Sequence, residues 1–179
     1  GPHFVLGSVG PTRTGEEPPE EATKIYEEQV ASLAAERVDA LVLETFESRV
    51  HLEAALRAVG ELEGPPPVIA HLAWSRPEVA SSWRRDPREF VEKMTDLGAR
   101  VVGVNCLAPW EASAFVDAVK EVDAVREGRV FISAMPNAGG FQRIGHRYMT
   151  HVNPEYIGKL ARTLSESGVR LIGGCCEVH

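Results

Sequence analysis

The sequence predicts an α/β protein built on a parallel sheet, and two observations carry that expectation. Six short aliphatic runs, at residues 4–9, 40–46, 67–72, 101–106, 130–134 and 169–173, are rich in Val, Leu or Ile and bounded by Gly, Pro or polar residues. Their continuous apolar character fits strands covered on both faces, where a half-exposed strand would alternate. Between the runs lie longer segments whose apolar side chains recur every three or four residues, the period of a helix with one buried face. Strand and helix alternate along the whole chain, as βα units require.

The helical segments follow in order. After Pro18 and Pro19, the first stripe falls at Tyr26, Val30 and Leu33. Leu52, Leu56 and Val59 form the second, ended near Gly60 and Gly64. Phe90, Met94 and Leu97 form the third, stopped at Gly98, and Ala112, Phe115, Val119 and Val122 the fourth. Asn153 is an N-cap with Pro154 in the first turn, followed by Ile157, Leu160 and Leu164 and closed by Gly168. The reading is six strands joined by five helical crossovers. It fits an open α/β sheet or a (β/α)8 barrel lacking two units, and a six-stranded barrel wall leaves two sheet edges uncovered. The 179 residues amount to one domain, or part of a larger one.

Composition narrows the function. With 44% hydrophobic and 25% charged residues the chain can bury a core. A net charge of −7 argues against a nucleic-acid surface, which needs clustered Lys and Arg. Arg84, Arg85 and Arg88 do cluster, but Asp86 and Glu89 interrupt them, and the group reads as solvated surface or as a contact for an anionic cofactor or acidic partner domain. No apolar run reaches the length of a membrane span. No Gly-x-Gly-x-x-Gly follows a strand, and Gly7-Ser8-Val9-Gly10-Pro11 lacks the Lys-Ser/Thr of a phosphate loop. Three cysteines, two of them adjacent, exclude a fully paired disulfide framework and point to a reducing compartment, read here as the cytoplasm.

In α/β proteins functional residues gather at the carboxyl ends of parallel strands. Cys106 ends one run, Cys175 and Cys176 end the last, Glu44 and Thr45 close the second, and Asn137 follows the fifth. Three thiols at one end suit zinc, which favours thiolates and keeps a fourth position open in catalytic sites. The competing reading is a set of small buried cysteines. Neighbouring side chains diverge on a regular strand, but Gly173 and Gly174 allow a departure that turns both sulfurs inward. An ion held by three thiolates is electron-rich and better suited to activating a substrate thiol for alkyl transfer than to hydrolysis. His71 either enters the site or is a hydrogen-bonded structural histidine. His146 and His151 read as solvated, and Trp74, Trp83 and Trp110 either line a mouth or pack.

At these residues the sequence resembles the homocysteine S-methyltransferase family. The matching segments are Gly7-Ser8-Val9-Gly10-Pro11, Tyr26 with Glu28-Gln29, Asp39 through Glu44-Thr45-Phe46, Gly103-Val104-Asn105-Cys106, Met135-Pro136-Asn137-Ala138-Gly139 and Gly173-Gly174-Cys175-Cys176. Pro154-Glu155-Tyr156 resembles members fused to a methylenetetrahydrofolate reductase domain. The resemblance implies a (β/α)8 TIM barrel, of which residues 1–179 form a partial homocysteine-binding domain covering strands three to eight. It implies Zn2+ held by Cys106, Cys175 and Cys176, with no catalytic residue beyond that metal site. Glu44 would hold the amino-acid part of L-homocysteine, with Thr45, Ser8 and Asn137 as further candidate substrate contacts. The glycines around Ser8 serve close backbone packing or ligand contact. The implied reaction is methyl transfer to the homocysteine thiol, giving methionine. The donor is left open among methylcobalamin or methyltetrahydrofolate, betaine, S-methylmethionine and S-adenosylmethionine, and a methyl-donor or cobalamin-binding domain is an expected partner. No nucleic-acid or membrane partner is expected, and the oligomeric state is not legible. The alternative is a zinc-stabilised, non-catalytic or regulatory domain. Two local departures from the family pattern are Gly140-Phe141-Gln142, without the usual proline, and Glu177-Val178-His179 where Gly-Thr is usual.

Overall fold

The computed structural model describes residues 3–12, 17–73 and 86–178. Trp74, Trp83, Arg84 and Arg85 lie outside the described residues. Six parallel strands form the central sheet in the order β1 (Leu6–Val9), β2 (Ala40–Phe46), β3 (Val68–Leu72), β4 (Ala99–Asn105), β5 (Phe131–Met135) and β8 (Leu171–Ile172). The sheet is curled, so that it forms the wall of a half-barrel, and the barrel reading replaces the open-sheet one. The six strands coincide with the six aliphatic runs.

The crossovers are α1 (Pro19–Ala35), α2 (Arg49–Gly60), α3 (Pro87–Asp96), α4 (Pro109–Val119) and α6 (Pro154–Glu166), with a single extra turn, α5 (Asp123–Arg126), after α4. Three starts are fixed by side-chain caps: Ser48 accepts from His51 N, Asp86 from Glu89 N, and Asn153 from Tyr156 N. Gly98 and Gly168 follow the helix ends with φ of +96° and +90°, a conformation that ends a helix at little cost for glycine. Each helix buries its stripe against the outer face of the sheet: Tyr26 and Val30 from α1, Leu52 and Leu56 from α2, Phe90 and Met94 from α3, Phe115 and Val119 from α4. Each such large side chain contributes about 2 kcal/mol by leaving water. The inner face is thinner, with Val42, Ile69 and Val101 packed together and Leu171 against them.

Three expectations change. The fourth stripe does not run on to Val122; the helix stops at Val119, and Val122 is the N-cap of α5. The strand count exceeds the expected six, because β6 (Phe141–Ile144) and β7 (Arg147–Thr150) pair antiparallel after β5 as a hairpin turning at Gly145-His146. Its strands alternate too weakly in hydrophobicity to announce themselves. The last strand is short: it ends at Ile172, so Gly173 through Cys176 lie beyond it. His146 and His151 are exposed, as expected, and Arg88 is a surface residue paired with Glu92 and Asp123. No helix among the described residues is long and apolar enough to cross a membrane.

Candidate metal centre

The carboxyl ends of β4 and β8 bring the three cysteines together, although β5 lies between those strands in the sheet. Cys106 is the first residue past β4 and sits at φ +57°, a conformation rare for a side-chain-bearing residue and one that ends the strand abruptly. Its backbone stays fixed to β5, since its N–H donates to Met135 O at 3.1 Å.

The segment after β8 is held in the same way. Gly173 N–H donates to Ala134 O (3.2 Å), Cys175 N–H to Pro136 O (2.8 Å), and Ala138 N–H to Cys176 O (3.1 Å). The chain then turns back, with Val178 N–H donating to Cys175 O at 3.2 Å. This turn explains the second glycine: a Cβ on Gly174 would stand 2.4 Å from Val178 Cγ1. Two adjacent cysteines therefore share one side because they occupy a turn, where strand alternation no longer applies.

The sulfurs of Cys106 and Cys176 are 3.6 Å apart, those of Cys175 and Cys176 3.9 Å, and all three lie within 4.8 Å of one another. A disulfide needs about 2.05 Å. Tetrahedral zinc with Zn–S bonds of about 2.3 Å spaces its sulfurs about 3.8 Å apart. The donor set and its spacing thus fit a zinc ion, and Cys176 is exposed while Cys106 and Cys175 are half-buried, leaving the cluster open to one side. Burial, with the adjoining Cys175 and Cys176 thiols adding to it, pushes the Cys106 thiol up to about 12. Cys106 therefore keeps its proton unless a cation replaces it.

Beside the cluster the carboxylate end of β2 is bent. Leu43 pairs with Ala70 but Phe46 with Leu72, so β2 carries one residue more than β3 over this stretch, a β-bulge. Thr45 occupies it at φ +64°. Its freed N–H donates to Asn105 Oδ1 at 2.8 Å, and Asn105 Nδ2 donates to Thr45 Oγ1 at 2.9 Å and more weakly to Glu44 Oε2 at 3.5 Å. Glu44 also accepts a 2.6 Å hydrogen bond from Ser8 Oγ. Asn105, buried on β4, thereby reaches across β3 and ties the bulge to the strand that delivers Cys106. Sequence reasoning passed over Asn105 as a site residue; an asparagine immediately before the cysteine of a buried strand was the available signal.

Asn137 belongs to the same structure through the backbone. Its Nδ2 donates to Cys106 O (3.1 Å), its Oδ1 accepts from Gly139 N (2.8 Å), and its own N–H donates to Leu107 O (2.8 Å). It lines both a cleft of about 330 Å³, shared with Thr45, Glu47, Ala73, Cys106 and Glu111, and a recess of about 150 Å³ beside Cys176. Of the two readings for the glycines near Ser8, close packing holds for Gly7, whose Cβ would meet Leu41 and Leu33 at 3.1–3.3 Å, whereas Gly10 faces open space. Trp110 is exposed, with its ring beside Gly139.

Of the two readings for His71, the hydrogen-bonded structural histidine does not hold among the described residues. It is fully buried, neither ring nitrogen has a partner among the described residues, and burial lowers its pKa to about 4. The histidine that does satisfy itself is His51, which the sequence gave no reason to single out. Its Nε2 lies 3.0 Å from Glu17 O and its Nδ1 3.4 Å from the Tyr26 hydroxyl, which in turn accepts from Thr12 N–H at 3.1 Å. Together they tie Thr12 and Glu17 to α1 and α2.

The arrangement agrees with comparisons to known proteins. The sequence profile of the family described as homocysteine S-methyltransferase matches residues 1–179. The chain is 30% identical over 166 residues to S-methylmethionine–homocysteine S-methyltransferase BHMT2 of Rattus norvegicus, covering 85% of this chain and 44% of that protein. It is 32% identical over 171 residues to betaine–homocysteine S-methyltransferase 1 of Xenopus laevis, covering 87% and 41%. The chain thus spans less than half the length of these relatives. In fold it resembles the crystal structure of the homocysteine methyltransferase MmuM from Escherichia coli in its apo form, with a TM-score of 0.73 at 19% identity over 98% of this chain and 58% of that one. A sheet that is part of a (β/α)8 barrel, three converging cysteines and a profile match along its full length lead to one conclusion: this chain belongs to the homocysteine S-methyltransferase family.

Proposed function

We propose that the chain carries the zinc- and thiol-binding part of an enzyme that methylates L-homocysteine to methionine. The observation that carries this reading is the convergence of Cys106, Cys175 and Cys176 at the carboxyl end of a barrel wall, in a member of this family. Residues 1–179 are then a partial homocysteine-binding barrel domain, and the three cysteines its zinc ligands. Zinc held by three thiolates supplies an open fourth position at which a substrate sulfur is kept as a reactive thiolate.

The chain's own residues do the rest. Glu44, fixed by Ser8 and steadied by Asn105, presents a carboxylate to the ammonium group of an amino-acid substrate. Thr45 lines the cleft next to Cys106 and offers a hydroxyl to the same substrate, and Asn137 braces the Cys106 carbonyl so that the sulfur keeps its direction. Methyl transfer forms the new S–CH3 bond as the donor's bond to that methyl breaks. The relatives matched are named for S-methylmethionine and betaine, both onium compounds whose charged sulfur or nitrogen departs as a neutral thioether or amine once its methyl is transferred. These are the first donors to test, followed by S-adenosylmethionine and methylcobalamin or methyltetrahydrofolate, which would call for a donor-binding domain. Three unpaired cysteines support a reducing location such as the cytoplasm.

The test is zinc content of the reduced protein, followed by zinc-edge X-ray absorption with and without L-homocysteine. One zinc per chain, with three sulfur neighbours rising to four on adding homocysteine, is the expected result. An unchanged sulfur count favours a zinc-stabilised, non-catalytic domain. Absence of zinc under zinc-replete conditions sinks the proposal.

A further inference from the structure

We propose that the barrel interior beneath the cysteine cluster holds an ordered hydration site, with one or two water molecules bound between His71 and Ser133. The register brings these side chains to one layer: His71 pairs with Gly103, and Gly103 with Ser133, across three adjacent parallel strands. They face inward. On β3 and β4 the residues two positions earlier, Ile69 and Val101, belong to the inner cluster, while Ala70, Leu72, Val102, Val104, Ile132 and Ala134 pack on the helix side. Leu171, registered with Ser133, also packs on the inner cluster.

Both side chains are fully buried, and His71 Nδ1, His71 Nε2 and Ser133 Oγ lack a partner among the described residues. Buried polar groups are paired in native structures because leaving them bare forfeits their hydration without compensation. Two such groups in one layer point to a shared guest. The strand between them places no side chain in this layer, since position 103 is glycine, where a Cβ would meet Ser133 O at 2.2 Å. The guest must both donate and accept, because a neutral imidazole and a hydroxyl do both. It must also be small and uncharged, lying above the apolar layer of Val42, Ile69 and Val101. Water meets all of these conditions.

This inference does not rest on the function proposed above, and its tests read stability and structure alone. Thermal unfolding of Ser133→Ala decides by sign. With water bound, loss of the hydroxyl strips the water of a partner and lowers Tm by about 3 °C or more. In a dry interior the same change removes an orphaned hydroxyl, and an unchanged or raised Tm overturns the proposal. A crystal structure of the chain at high resolution gives the second readout. A water about 2.7–3.2 Å from both Ser133 Oγ and a His71 ring nitrogen is expected. A direct His71–Ser133 hydrogen bond, a side-chain partner or a dry gap overturns it.

Discussion

Asn105 does more for the site than any residue except the cysteines. Its amide serves the bulge residue Thr45 twice, as acceptor at 2.8 Å and donor at 2.9 Å, and so holds a β-branched residue at positive φ. Replacing it with an isosteric apolar side chain leaves the Thr45 N–H without that partner and frees Glu44 on one side. Asn105→Leu is therefore expected to lower stability by about 1–3 kcal/mol in urea unfolding. It should also weaken homocysteine binding while zinc stoichiometry stays intact, because no cysteine ligand is touched. Loss of zinc in this variant would mean that the bulge and the cysteine cluster are one unit. Cys106, Cys175 and Cys176 were legible from the sequence as residues at strand ends. Asn105 was not, because its importance comes from reaching over β3, a relation that no local pattern encodes.

The elements that matter most are the two short exits that leave the strands. After β8 the turn at residues 175–178 presents both adjacent sulfurs, and Gly174 allows it by admitting Val178 where a Cβ would stand, at 2.4 Å. Gly174→Ala is expected to displace the turn and weaken zinc binding at least tenfold, measured by competition with a chromophoric chelator. Adding Val178→Ala should restore much of that affinity. Failure of the second change to rescue would place the fault in backbone conformation instead of the steric contact. The helices, by contrast, were largely readable from their apolar stripes, the fourth overrunning its helix end, and Asn153 caps α6 as its type demands. The hairpin of β6 and β7 was missed because its strands are only four residues each and pair with each other outside the main sheet.

On the scale of the molecule, two linkages follow from the architecture. A zinc ion held as proposed would join the ends of β4 and β8 across the intervening β5, in a geometry the unfolded chain lacks. Saturating zinc should raise Tm by several degrees and a chelator should reverse it. A Tm indifferent to zinc would contradict the metal centre. The second linkage is to protons through His71, held near a pKa of about 4 by burial. The unfolded chain binds this proton near pH 6.5, so it takes up protons first as pH falls. Stability from the neutral imidazole is complete above about pH 6.5 and is lost progressively down to about pH 4, by up to about 3 kcal/mol. Urea unfolding at pH 7 and pH 4.5 should give a smaller difference for His71→Leu than for the unsubstituted chain; equal differences would remove His71 as the source.

Hydrophobic runs, helical periods and cap residues determined by themselves that this chain makes six parallel strands, buried except at the edge strands β1 and β8, and the helices that cover them, because those choices depend on neighbours three or four residues away. The identity of the three thiols, and their arrival at one end of the sheet, followed from the same pattern. Whether those thiols meet was decided only by tertiary structure: by the curl of the sheet and by hydrogen bonds between residues 173–176 and the segment leaving β5. The same holds for His71 and Ser133, which lack a partner among the described residues. Each is unremarkable in sequence, and only strand register sets them into one buried layer, where the energetic cost of an unpaired polar group gives their meeting its meaning.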